Sequence, residues 1–200
     1  MTKVAVIDYG NGNLGSLLSA LKRLPVWAQV WQNPIDVGPV DAIIFPGVGA
    51  LGSVIHHLEI SGLRAILERH VERAHPVMGI CLGMQLFFED GDEGGSGLGW
   101  IAGSVPTLKA QVLPHIGWNT VAHGQGAGNE TQDPAYYFVH TYRVLPTNPD
   151  IIVGVTEYDG ETFPSIVRTR SLYGVQFHPE LSGATGHRLL SQWLQEVREK

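Results

Sequence analysis

Short apolar runs alternate with helical leucine stripes through the first half of this 200-residue chain, and that alternation restricts the fold more than any other feature. Val4–Ile7, Ala28–Trp31, Ala42–Phe45 and Pro76–Ile80 read as short strands. Between them, Leu14, Leu17, Leu18 and Leu21 recur at helical spacing until Pro25 stops the helix. Leu63, Ile66, Leu67 and Val71 repeat the pattern, and a further helix, Leu82–Phe88, is expected after Cys81. This order predicts an α/β fold: a doubly wound, mixed but mainly parallel sheet with flanking helices. The second half reads differently. Tyr136–Val139, Ile151–Val155, Ser165–Val167 and Leu172–Phe177 lie between turns, as a small antiparallel extension would. Leu189, Leu190, Trp193, Leu194 and Val197 mark a closing helix, and the glycine- and acid-rich stretch Glu89–Gly99 reads as a surface loop. With no repeat and no linker, residues 1–200 are expected to form a single domain.

Charge and composition remove several functional classes. The net charge is −6, and no Lys/Arg run could neutralise a row of phosphates, which argues against a nucleic-acid partner. A single cysteine cannot close an internal disulfide and fits a reducing compartment. Lys3 is isolated and the apolar run after it is too short for a signal peptide. No apolar stretch reaches the roughly 18 residues that a bilayer span requires. The expectation is a cytoplasmic protein with no membrane partner. Neither an HExxH motif nor a Cys/His metal spacing occurs, so no metal is expected. Gly10–Gly15 satisfies G-x-G-x-x-G, but Asp36 falls in a turn beyond Asn33-Pro34 rather than at a strand tip, and nothing else supports a dinucleotide. No cofactor is expected.

Gly79-Ile80-Cys81-Leu82-Gly83 has the form of a nucleophile elbow with cysteine at its centre. Such a turn holds the nucleophile at strained backbone angles, and its two glycines remove side chains that would collide there. It also sets the sulfur at a helix N-terminus, where the dipole favours a thiolate and the Leu82 amide points toward a developing oxyanion. Downstream, Gly174–Glu180 reads as a strand ending in two polar groups. In an extended chain His178 and Glu180 project to one side, and Pro179 keeps His178 out of the helical region. Glu180 would then hold the imidazole in the tautomer that accepts a thiol proton, which is triad logic with a cysteine nucleophile. Pro46-Gly47-Val48-Gly49 ends the third strand, whose tip can neighbour Cys81 at the carboxyl edge of the sheet. Amides at Val48 and Gly49 could supply a second oxyanion donor, and a peptide flip there is an available switch.

Together these motifs resemble the class I, triad-type glutamine amidotransferases, through Gly79–Gln85 (GICLGMQ) and Gly174–Glu180 (GVQFHPE). Within that class the chain is similar to the glutaminase subunits of imidazole glycerol phosphate synthase. That finer match rests on Asp8–Asn13 (DYGNGN), Pro46–Gly49 (PGVG), Pro114–Asn119 (PHIGWN) and Tyr137–Tyr142 (YFVHTY). The resemblance implies attack by Cys81 on the side-chain amide of L-glutamine, a glutamyl thioester, and its hydrolysis by water that His178 activates. Gly47, Gln85, His140, Thr141 and Tyr142 match glutamine-binding positions. Ammonia would pass to a (β/α)₈-barrel cyclase, forming a heterodimer in histidine biosynthesis. A barrel needs about 250 residues and must therefore be a separate polypeptide. Asn13, Trp118, Tyr137 and Leu181 match interface positions, Leu181 standing where the family commonly has lysine. The alternatives are a glutaminase subunit of another amidotransferase and a non-catalytic regulatory subunit of the same fold. The second would be expected to carry a broken triad.

Overall fold

The computed structural model describes residues 1–10, 14–47, 49–123 and 133–199. Its strands are β1 (Thr2–Ile7), β2 (Val26–Trp31), β3 (Ala42–Phe45), β4 (Val77–Ile80), β5 (Asp90–Gly91), β6 (Gly103–Val105) and β7 (His115–Thr120). They continue with β8 (Ala122–His123), β9 (Ala135–His140), β10 (Leu145–Pro146), β11 (Ile152–Tyr158), β12 (Glu161–Arg168) and β13 (Leu172–Val175). The helices are α1 (Gly15–Leu21), α2 (Leu51–Ser61), α3 (Leu63–Glu72), α4 (Leu82–Gln85) and α5 (Gly183–Arg198).

The main sheet runs β2-β1-β3-β4-β13-β12-β11-β8. Its first five strands are mutually parallel, and β12, β11 and β8 extend it antiparallel. The sequence expectation of a doubly wound, mainly parallel sheet with an antiparallel extension holds. Alternation along β1 explains the layering: Val4 and Val6 join one core with Leu17, Leu21, Leu190 and Trp193 of α1 and α5. Ala5 and Ile7 join the other, with Leu58 of α2, Leu67 of α3 and Leu82 of α4. Both faces are covered, as a parallel sheet requires.

Several boundaries depart from expectation; β2, β9 and β12 are longer than their apolar runs, and the other departures change partners or element type. The Leu172 strand was expected in the antiparallel extension. It instead inserts parallel to β4, with Gly174 opposite Gly79, and stops at Val175. Three of its four residues are fully buried, which suits a central strand covered on both faces. The strand expected from Ile151 begins at Ile152, because Pro149–Ile151 forms a 3₁₀ turn in which the Asn148 side chain accepts from the Asp150 amide at 3.0 Å. The helix after Cys81 ends at Gln85, not Phe88. The carbonyls of Leu86, Phe87 and Phe88 accept from the amides of Leu98, Ile101 and Gly99. Those bonds also organise Glu89–Gly99: it carries β5 and buries Leu98, so it is more than a surface loop. A helix that the leucine spacing did not delimit, α2, precedes α3, and Gly62 at φ 77° makes the break between them.

A two-stranded sheet of β7 and β9 stands apart, pairing His115 with His140 and Trp118 with Tyr137. Alternation sends His115, Tyr136, Phe138 and His140 inward, while Ile116, Trp118 and Val139 face outward.

Candidate active site

Three neighbouring strands, β3, β4 and β13, end at the same edge, and each passes a candidate site residue to it: Gly47, Cys81 and His178. The strand order reverses at β1 and β3, so this is the carboxyl edge beside a topological switch point, where open α/β sheets hold their ligands. Cys81 sits at φ 50° and ψ −109°, one of three non-glycine residues with positive φ among the described residues. L-residues reach such angles at a cost of about 1–3 kcal/mol. The glycines of the elbow are required sterically, since a β-carbon at Gly79 would collide with the Gly83 carbonyl and one at Gly83 with the Phe45 carbonyl.

Cys81 and His178 meet at Gly47. A β-carbon placed on that glycine would lie 2.7 Å from Cys81 Cβ and 2.9 Å from His178 Cε1. His178 Nδ1 is 2.8 Å from Glu180 Oε1. The carboxylate arrives differently from the extended i, i+2 geometry that the sequence suggests, because Pro179–Leu181 is a 3₁₀ turn. Pro179 starts that turn and leaves His178 extended at φ −103°, ψ 95°. Ser182 locks the turn by donating to the His178 carbonyl (2.6 Å) and accepting from the Tyr137 amide (2.9 Å). The His178 amide in turn donates to the Tyr137 carbonyl at 2.8 Å.

His178 Nε2 is buried and makes no hydrogen bond among the described residues. Burial by itself would lower the imidazole pKa. The nearby Cys81 sulfur, and then the Glu180 carboxylate, outweigh burial and raise it from 6.5 to about 10. A group whose folded pKa is raised contributes stability in full below its unfolded value and loses it as pH rises through the folded one. The window here is therefore pH 6.5 to about 10. The expected observation is a His178 imidazole still protonated at about pH 8 by NMR, with its titration moved to lower pH in Cys81→Ala. An unchanged titration in that variant would mean the sulfur does not act on the ring. Since α4 is a single turn, this charge partner matters more to the sulfur than the helix dipole does.

Leu82 is the first residue of α4, so its N–H has no acceptor within the helix. Gly49 is exposed at φ 112°. Val48 and Asn13 lie outside the described residues. Gln85 and His140 are buried at 4% and 5% exposure, while Thr141 and Tyr142 are half-buried. Gln85 donates to the Tyr142 carbonyl (3.1 Å) and His140 Nδ1 donates to the same oxygen (2.8 Å), so their polar atoms are engaged within the protein. Trp118 and Leu181 are 60% and 43% exposed, and the Trp118 and Tyr137 rings are 6.2 Å apart, edge to face. Trp118 is thus not a core aromatic.

Sequence reading did not single out Gln176, which is fully buried and donates to Cys81 Sγ at 3.5 Å, or the Val139 carbonyl, 3.7 Å from that sulfur. The i, i+2 argument made for His178 would have found Gln176 two residues earlier. The carbonyl of Val139 had no signal in the sequence. Among the described residues, no group of three or more His, Cys, Asp or Glu is arranged to hold a metal ion, and no helix is long and apolar enough to cross a membrane.

The sequence model of class-I glutamine amidotransferases matches residues 5–197. The chain belongs to that family. Among its relatives, the imidazole glycerol phosphate synthase subunit HisH of Methanopyrus kandleri is 43% identical over 197 residues, covering 96% of this chain and 97% of that one. The subunit HisH of Symbiobacterium thermophilum is 41% identical over 200 residues, covering 96% and 93%. A solved glutamine amidotransferase superposes with a TM-score of 0.79 at 18% identity, covering 98% of both chains. PurLQS from Thermotoga maritima gives 0.77 at 16% identity, covering 98% of this chain and 100% of that one. These two likenesses bear on the fold of this amidotransferase.

Proposed function

We propose that this chain is the glutaminase subunit of an imidazole glycerol phosphate synthase, with Cys81 as nucleophile, His178 as acid and base, and Glu180 as its orienter. One observation carries the reading: the Cys81 and His178 side chains converge on Gly47 while Glu180 holds the far ring nitrogen at 2.8 Å. In the mechanism, the thiolate attacks the side-chain amide carbon of glutamine, and the oxyanion takes N–H donors from Leu82 and the Val48–Gly49 segment. His178 gives its proton to the departing ammonia, leaving a glutamyl thioester. His178 then deprotonates a water, which attacks the thioester; glutamate leaves and the proton stays on the ring. Glu180 fixes the tautomer throughout and remains ionised. Gly47, Gln85 and the His140–Tyr142 segment frame the glutamine pocket.

The relatives' shared name as a synthase subunit supports a second subunit, and in this reading that partner is a separate cyclase, a (β/α)₈ barrel, which receives the ammonia. Ile116, Trp118, Val139 and Leu181 form an exposed apolar set on the outer face of β7–β9 and the Pro179–Leu181 turn, suited to that partner. Asn13 and Tyr137 belong to the same proposed interface. Trp118→Ala is expected to weaken the complex by about 10- to 100-fold, read by titration calorimetry, in line with central interface tryptophans. Unaltered affinity would move the interface elsewhere.

Cys81 is only 6% exposed, so glutamine enters after the site opens. Glutamate release should accordingly be slow for the chain alone and rise when the cyclase and its nucleotide substrate bind. Steady-state release with and without the partner tests this; equal rates would remove the gating. No release with any cyclase would remove the function.

A further inference from the structure

A buried chain of hydrogen bonds runs from β7 to the nucleophile, and its polarity follows from one carbonyl. The Tyr142 carbonyl can only accept. It therefore requires the proton of neutral His140 on Nδ1 (2.8 Å), leaving His140 Nε2 as an acceptor. His115 Nδ1, 3.0 Å away, must then donate to it. Burial lowers the pKa of His140 to about 3 and of His115 to about 4, so both rings stay neutral. On the other side, the same carbonyl accepts from Gln85 Nε2, whose second hydrogen goes to Gln176 Oε1 at 3.2 Å. With its oxygen thus engaged, Gln176 must turn its NH₂ toward Cys81 Sγ, 3.5 Å away.

We propose that Gln176 is a catalytic N–H donor to the Cys81 thiolate and that His140, held by His115, is a positioning residue that fixes this donor's orientation through the Tyr142 carbonyl and Gln85. The inference rests on the glutaminase reading for its role in turnover, but its effect on the sulfur does not need glutamine. A donor aimed at the sulfur stabilises the thiolate over the thiol. Reversing one amide along the chain would present a second oxygen to the sulfur, beside the Val139 carbonyl already 3.7 Å away, and leave a thiolate with no donor from this side. His140 and Gln85 hold the same backbone oxygen from two sides, so loss of His140 lets that peptide shift and slackens the Gln85 and Gln176 amides that hang from it.

The test is the alkylation rate of the full-length chain by iodoacetamide at neutral pH, taken where the rate is first order in reagent so that opening of the site does not limit it; it reads Cys81 alone because the chain has a single cysteine. Gln176→Met and the isosteric Gln176→Glu should each slow alkylation by about 10- to 100-fold, as should His140→Phe, the range expected when a reacting atom is misplaced. His140→Asn, which keeps a donor near the Nδ1 position, should recover most of the rate. Thermal melting of each variant separates this from loss of folding. In the complex with the cyclase, Gln176→Glu should lower kcat while KM for glutamine changes less than about threefold, since the donor serves the thiolate rather than substrate binding. Wild-type alkylation in both Gln176 variants would overturn the donor. Equal losses in His140→Phe and His140→Asn, tracking their melting temperatures, would reduce His140 to packing. Normal alkylation of the unsubstituted chain with no glutamate release from any complex would refute the glutaminase reading and leave the donor standing.

Discussion

Cys81→Ala is expected to abolish glutamate release, with a fall in kcat of at least about 10⁴-fold, because no other group can form the thioester. Binding to the cyclase should survive, since Cys81 is buried and the exposed apolar residues lie on β7, β9 and the Pro179–Leu181 turn. Stability should then separate two silent variants. Cys81 holds φ 50°, ψ −109°, which alanine adopts at the same cost as cysteine and glycine adopts freely. Relief of about 1–3 kcal/mol of strain exceeds the roughly 0.5–1 kcal/mol that glycine loses to a more flexible unfolded chain. Cys81→Gly should therefore resist urea better than Cys81→Ala by about 1 kcal/mol. Residual release by the alanine variant would end the nucleophile assignment. A glycine variant less stable than alanine would mean the elbow is unstrained.

Gly47→Ala should be nearly as damaging without touching any reacting group. The added β-carbon would fall 2.7 Å from Cys81 Cβ, 2.7 Å from the Ile80 carbonyl and 2.9 Å from His178 Cε1. The Ile80 carbonyl belongs to the backbone of β4, which is hydrogen-bonded on both sides and cannot yield cheaply. The imidazole and the sulfur must move apart instead. A displacement near 1 Å costs about 100-fold in rate, and overpacking of this kind about 1–3 kcal/mol in stability. Gly38→Ala is the control, because its β-carbon would meet only the Gln29 amide, at an ordinary 3.6 Å. Assays of glutamate release in the complex and urea unfolding of both variants decide the matter. Unimpaired turnover in Gly47→Ala would show that the triad does not close on this glycine.

Much of the scaffold was legible because it is written in local patterns. The apolar run Ala42–Phe45 became β3 without change of boundary, and the stripe of Leu63, Ile66, Leu67 and Val71 lies on α3. Steric punctuation was also readable: Pro179 kept His178 extended, and the glycines around Cys81 marked a turn that side chains would block. The errors arose where a chain segment chose its partner by burial. Leu172–Val175 carries no mark that it will enter the sheet parallel to β4, and Leu86–Phe88 has helix-compatible residues whose carbonyls a later loop takes over.

The sequence by itself determined the alternation of strands and helices, the elbow that sets a sulfur at the end of a strand, and a histidine held out of helix by the proline after it. Each follows from periodicity or backbone sterics within a few residues. Only the tertiary structure decided that Gly47 is the point on which Cys81 and His178 close, and that Gln176 reaches a sulfur 95 positions away. It also decided that the sheet carrying the exposed Trp118 lays the Val139 carbonyl against that same sulfur across 58 positions. Such contacts form because apolar burial brings distant strands together, and buried polar groups must then find partners among whatever neighbours arrive. No local pattern encodes which neighbours those are.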